Sequence, residues 1–125
     1  MEVGKINTMK IILLGRPISK DNEKIANRQG RFFLSAKYKN YARDIQTQFC
    51  SQFPNFKPYE KNLTVVMNFY FEDKRCLDLS NAPKSICDAL QNFLYKNDKQ
   101  ICELHLFKKF DKKNPRTEII VDEIK

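Results

Sequence analysis

Asp78, Lys84, Asp88 and Asp98 stand within one short stretch, residues 75–101, and carry the most explicit chemistry in the chain. Carboxylates and a lysine ammonium brought within folding reach of one another are the material for binding a divalent metal and handling a phosphate. Mg²⁺ suits such a set, because it takes oxygen ligands, keeps several waters and usually needs only one or two carboxylates. Each residue also has an ordinary reading. Asp78 is a helix-start acid favoured by the macrodipole. Lys84 and Asp88 are an exposed i, i+4 pair worth a few tenths of a kcal/mol, and Asp98 is a turn former.

The elements around these residues are legible from periodicity. A helix is predicted after Asp78, with Ser80 or Asn81 as N-cap and Pro83 in the first turn, where a missing N–H costs little. Ile86, Ala89, Leu90, Phe93 and Leu94 make its buried face, and Lys84, Asp88 and Gln91 share the opposite one. Ahead of it, Leu63, Val65, Met67, Phe69 and Phe71 alternate with Thr64, Val66, Asn68 and Tyr70, the pattern of a strand central in a sheet. The site is therefore expected at a strand end, where loops carry chemistry on a rigid support. After a polar turn over 96–99, residues 101–109 read as a strand, with Cys102, Leu104 and Leu106 alternating against Glu103, His105 and Phe107. Residues 117–121 make a last strand, expected to pair antiparallel with it across a turn holding Asn114-Pro115.

The N-terminal half has the same order of parts. Residues 1–8 carry no pattern and are expected to be a flexible tail, leaving a single domain over 9–125. Residues 10–14 read as a buried strand, ended by Gly15-Arg16-Pro17. Residues 17–31 are poor in apolar side chains and bear Lys20, Lys24, Asn27, Arg28 and Arg31. A loop of that length in a small domain is usually functional or disordered. It is either a solvated linker or hairpin tip, or a basic arm that grips a phosphate backbone. Ser35 is the N-cap of a helix running to about residue 52, whose Tyr38, Tyr41, Ala42, Ile45, Phe49 and Phe53 fall on one packing face. Lys37 on its other face extends the basic footprint, as does Arg75 at the exit of the central strand.

Composition bounds the function. At 125 residues one core is all that fits, and five Tyr with ten Phe make it aromatic. A formal charge of +8 favours a polyanionic partner, nucleic acid first. The basic residues are spread along the chain and not gathered on one amphipathic helix, which disfavours a membrane surface. Four cysteines with no Cys-x-x-Cys pair and one His indicate neither a zinc site nor a redox pair. The aliphatic run at residues 11–14 is too short for a signal-peptide core or a membrane span, so the expected setting is cytoplasmic.

The run LDLSNAPKSICDALQNFLYKNDKQI resembles the core of the RusA family of Holliday junction resolvases, whose pattern is approximately D-x-D-N-x-x-K-x-x-x-D-A-L, then an acidic turn followed by Q-[IV]. The stretch GRPISKDNEKIANRQGRFFLSAKYKNY is similar to that family's N-terminal half, in which a strand ending G-R-P leads to a basic loop and then a helix. The element order read above, strand, basic loop, helix, strand, helix, strand, strand, matches that family's fold. The expected class is a small α+β domain, a mixed sheet of about four strands packed by two helices.

The resemblance implies a homodimeric, Mg²⁺-dependent endonuclease, with Mn²⁺ as a substitute, that cuts four-way junctions and other branched DNA by paired incisions in a bacterial or phage-infected cell. It implies Asp78 and Asp98 as catalytic metal ligands and Lys84 as the lysine near the scissile phosphate. Asp88 falls on the Asp of the Asp-Ala-Leu signature, in a supporting role. One position departs: the second aspartate of Asp-x-Asp-Asn is Ser80, a neutral and weaker ligand, so the site loses a negative charge for which a neighbour such as Asp88 or Glu103 could compensate. Two other readings stay open. One is a DNA-binding protein of the same fold with weakened or lost catalysis. The other is a small basic RNA-binding protein that stacks its Phe and Tyr rings on single strands.

Overall fold

The computed structural model describes residues 8–19, 24–26 and 28–124, with side chains at all of these except 24–26 and 32–34. Its eight named elements run in the order β1 (Met9–Leu14), β2 (Lys24–Ala26), β3 (Phe32–Leu34), α1 (Ala36–Gln52), β4 (Leu63–Phe71), α2 (Ala82–Leu90), β5 (Ile101–Phe110) and β6 (Arg116–Glu123). A mixed sheet has the spatial order β1-β6-β4-β5, and β2 with β3 forms a separate hairpin. This is the expected α+β class, four strands and two helices.

β4 is the spine of the sheet. Its odd-numbered side chains from Leu63 to Phe71 are buried and its even-numbered ones half-buried, the signature of a strand packed on one face. Ile11, Leu13, Ile119 and Val121 extend that face, and Ile45 and Phe49 of α1 with Ile86, Ala89 and Leu90 of α2 cover it. Each such fully buried aliphatic or aromatic side chain contributes roughly 1.5–3 kcal/mol. Ser35 caps α1 as its position predicts, its hydroxyl accepting from Tyr38 N–H at 3.1 Å.

Several expectations are corrected. The final two strands do not pair with each other: β5 runs parallel to β4, and β6 lies antiparallel between β4 and β1. The α2 crossover explains this, since a strand, helix, strand connection sets its two strands parallel. That leaves the other side of β4 for β6, whose Thr117, Ile119 and Val121 are all buried. Asp111 N–H donates to the Phe71 carbonyl at 2.8 Å as the chain crosses the end of β4 to get there.

β1 is an edge strand buried on one side only, with Ile12 and Leu14 exposed. α2 ends at Leu90, although the apolar spacing continues, because Asn92 adopts a left-handed φ of 71° and reverses the chain. Leu94 still reaches the core and Phe93 packs against it, now from a turn. Asn81 stands at the N-cap position of α2 without a side-chain cap bond. Of the basic stretch, the hairpin of β2 and β3 and the turn at Arg28 to Gly30 are described, the turn relying on Gly30 at φ 77°. Lys20 and Asn27 lie outside the described residues, as does the proposed tail apart from Thr8, whose hydroxyl donates to Asp122.

Candidate functional site

Helix α2 positions the candidate residues. At its start, Asp78 lies in an exposed turn whose carbonyl accepts from Asn81 N–H at 2.9 Å and Ala82 N–H at 3.2 Å. The Asp78 backbone therefore builds the entry to the helix and leaves the carboxylate outside. Ser80 is exposed in the same turn, and Lys84 is exposed in the first helical turn. Pro83 and Ala82 are buried, which anchors this end against the core.

Further along α2, Asp88 accepts a hydrogen bond from the Tyr38 hydroxyl at 3.3 Å, which ties the start of α1 to the exposed face of α2. Burial, then the Asp88 charge, raise the Tyr38 hydroxyl well above the ordinary tyrosine range. Tyr95 turns back under the helix and donates to the Cys87 carbonyl. Burial pushes the Cys87 thiol up to about 11, with the charges of Asp88 and Asp98 adding to it. Burial likewise raises the Tyr95 hydroxyl, and Asp98 and Asp88 both contribute.

Asp98 opens a short 3-10 helix, Asp98–Gln100, with its side chain on the surface. Gln100 holds this turn from both sides. Its side-chain oxygen accepts from Lys96 and Asn97 N–H at 3.0 and 2.9 Å, and its amide donates to the carbonyls of Tyr59 and Lys61 at 2.7 and 3.0 Å. With four bonds on one side chain, the polar segment before β5 has a fixed shape.

The structure therefore ties Asp88 to Tyr38, places Asp98 on the surface of the turn before β5, and sets Asp78 and Ser80 at the start of α2. Cys87 is five residues beyond Ala82, roughly 7.5 Å of helical rise. Glu103 faces the other way: it pairs in register with Thr64, on the face of the sheet opposite the helices, beside His105. Arg28, Arg31 and Lys37 are exposed, Lys37 one residue from Tyr38. Lys24 lies in β2 without a described side chain. Arg75 is on the loop leading to Asp78, paired with Asp73 at 3.3 Å. Arg16 and Glu72, 3.9 Å apart, bring the Gly15-Arg16-Pro17 corner to the same end of the sheet as that loop. A family model described as Endodeoxyribonuclease RusA matches residues 15–122.

The chain belongs to the RusA endodeoxyribonuclease family. The match begins just after β1 and ends one residue short of the end of β6, taking in the basic hairpin, both helices and every candidate residue. A search of curated proteins found no match to the chain. RusA membership implies Holliday junction resolvase endonuclease activity on branched DNA.

Among the described residues no group of three His, Cys, Asp or Glu side chains converges closely enough to hold a metal ion. The donors offered are exposed carboxylates with a hydroxyl beside one of them. That oxygen-only set fits a hard cation that retains most of its water and does not fit zinc, which wants nitrogen or sulfur. Tyr38 and Tyr95 are the residues that sequence reasoning passed over in this site, whereas Gln100 falls on the Gln of the quoted Q-[IV] pattern. Tyr38 was legible only as part of an aromatic packing face, and nothing in the spacing says that its hydroxyl reaches a carboxylate fifty positions away.

Proposed function

We propose that this RusA-family protein is a Mg²⁺-dependent endonuclease that resolves four-way junctions, acting as a homodimer so that two strands are cut as a pair. Asp78 and Asp98 hold the cation, with Ser80 or Asp88 as a further oxygen donor. Bound there, a divalent ion activates water and offsets charge on the phosphoryl oxygens. The observation that supports this reading is the family match over residues 15–122, which takes in the exposed Asp78 turn and Lys84 at the start of α2 and Asp98 in the turn before β5.

The protein's own groups have separable tasks. Lys84 places a point charge beside the phosphate, where charge grows as the bond breaks. Tyr38 fixes the Asp88 carboxylate, and Gln100 fixes the turn that presents Asp98. Arg28, Arg31, Lys37 and Arg75, with Lys20, Lys24 and Asn27, contact backbone phosphates and give affinity without reading sequence. Junction preference then comes from the shape of the DNA. The setting is the DNA of a bacterial or phage-infected cell.

The test compares a labelled four-way junction with a matched linear duplex, in Mg²⁺, Mn²⁺ or chelator, for the wild type and Asp78→Asn. We expect paired nicks on the junction alone, lost in chelator and reduced at least about 100-fold in the variant, with DNA binding retained. Equal cutting by Asp78→Asn would remove that residue from the site. Ser80 favours a second reading, a junction binder that cuts weakly for want of a negative charge. Binding with few nicks in the wild type, and more in Ser80→Asp, would select it.

A further inference from the structure

The two edges of the four-stranded sheet are finished differently. β1 is closed by α1: the Gln52 side chain accepts from Ile12 N–H at 3.0 Å and donates to its carbonyl at 2.6 Å, and Gln48 does the same for Leu14 at 2.7 and 3.1 Å. Side-chain amides thus occupy the backbone groups that another strand would use. β5, the opposite edge, has no strand on its outer side among the described residues. It is ten residues long, contains neither Pro nor Gly, and exposes Leu104, Phe107 and Phe110 to 40%, 49% and 56%. A long open edge with apolar side chains is a template for pairing with another chain.

We propose that β5 pairs antiparallel with β5 of a second copy, across a two-fold axis at Leu106, joining two four-stranded sheets into one. This rests on the homodimer reading above and names its surface. The residue pattern selects both occupant and register. Two-fold antiparallel pairing sets each residue opposite the one equally far beyond the axis, on the same face of the sheet. Glu103 and Lys109 share the open face, in register with Thr64 and Tyr70 respectively. With Leu106 on the axis, Glu103 meets the partner's Lys109 and Lys109 meets the partner's Glu103. His105 meets the partner's Phe107 on that face. On the helix side Leu106 meets its own copy, and Leu104 lies under the stem of the partner's Lys108.

Neighbouring registers lose this match. An axis at His105 sets Glu103 against the partner's Phe107. An axis at Phe107 sets Glu103 against the partner's Asp111 and Lys109 against the partner's His105. A strand whose charges complement its own reversed sequence is built for a copy of itself and is not a general peptide-binding edge.

Sedimentation of the full chain over a range of concentrations, for the wild type, Glu103→Lys and Lys109→Glu, tests the surface. Each single change turns two opposite-charge pairs into like-charge pairs, so dimer affinity should fall about 10- to 100-fold. An equimolar mixture of the two variants should form heterodimers of near wild-type affinity, because one chain then brings a lysine to both positions and the other a glutamate, restoring opposite charges at both ends. Circular dichroism of each variant separates misfolding from dissociation, and recovery in the mixture cannot come from a misfolded chain. Variants that dimerise as the wild type does would overturn this surface while the homodimer stands. A wild type that stays monomeric at every concentration would overturn both.

Discussion

At the scale of single residues, the fold depends on hydroxyls and amides that sequence patterns treat as filler. Tyr38 is the clearest case. Its ring belongs to the α1 packing face, as the spacing implies, but its hydroxyl holds Asp88 at the rim of the candidate site. Tyr38→Phe keeps the ring and removes only that bond. Stability to urea should fall by about 0.5–1.5 kcal/mol, the net worth of an ordinary hydrogen bond. Junction cleavage should weaken with it if Asp88 supports the catalytic set, and a loss of stability without a change in cleavage would confine Tyr38 to packing. Asp78, Lys84 and Asp98 stood out because they fall on the acidic and lysine positions of the RusA-like pattern, while by type and spacing alone each has an ordinary structural reading. The hydroxyl contacts of Tyr38 and Tyr95 did not stand out, since the Asp88 carboxylate and the Cys87 carbonyl come within their reach only once the chain has folded.

At the scale of elements, local signals were reliable where one side chain or one periodicity decided the outcome. Ser35 starts α1, Gly15-Arg16-Pro17 ends β1, and the two-residue alternation of β4 makes it the centre of the sheet. Pairing was not local. The last two strands look like a hairpin in sequence, but the α2 crossover commits β5 to lie parallel to β4, and β6 takes the place between β4 and β1. Closure of the β1 edge by Gln48 and Gln52 was equally hidden, because glutamines four residues apart on a helix read as solvated. Replacing both with Ala removes four hydrogen bonds between α1 and β1. We expect a loss of about 1–3 kcal/mol in urea denaturation. Concentration-dependent light scattering should rise as well, since β1 would then offer a free edge.

At the scale of the whole molecule, the buried and half-buried protic groups around α2 make stability depend on pH in one direction. Tyr38, Tyr41 and Tyr95 have hydroxyls raised above the tyrosine range, with burial the leading cause in each, and the Cys87 thiol is raised to about 11. All four are neutral when protonated. The unfolded chain releases these protons at roughly pH 8.5–10, while the folded chain retains them. The unfolded state therefore binds fewer protons, and folding stability contributed by these groups is complete below about pH 8.5 and lost as pH climbs. Unfolding midpoints followed by circular dichroism should hold with respect to these groups up to that point and drop steeply beyond it. A curve flat to about pH 11 would mean that the four groups ionise freely in the folded protein.

The sequence by itself determined the family, the class of fold, the helix starts and the central strand. Each of these is written in residue types at short spacing, where backbone geometry and capping leave little choice. Tertiary structure alone decided which strands are neighbours, which edge is closed, and which uncharged groups hold the carboxylates in place. Those outcomes come from contacts between segments far apart in the chain, such as Met9 beside Val121, and they are chosen by how the elements pack together.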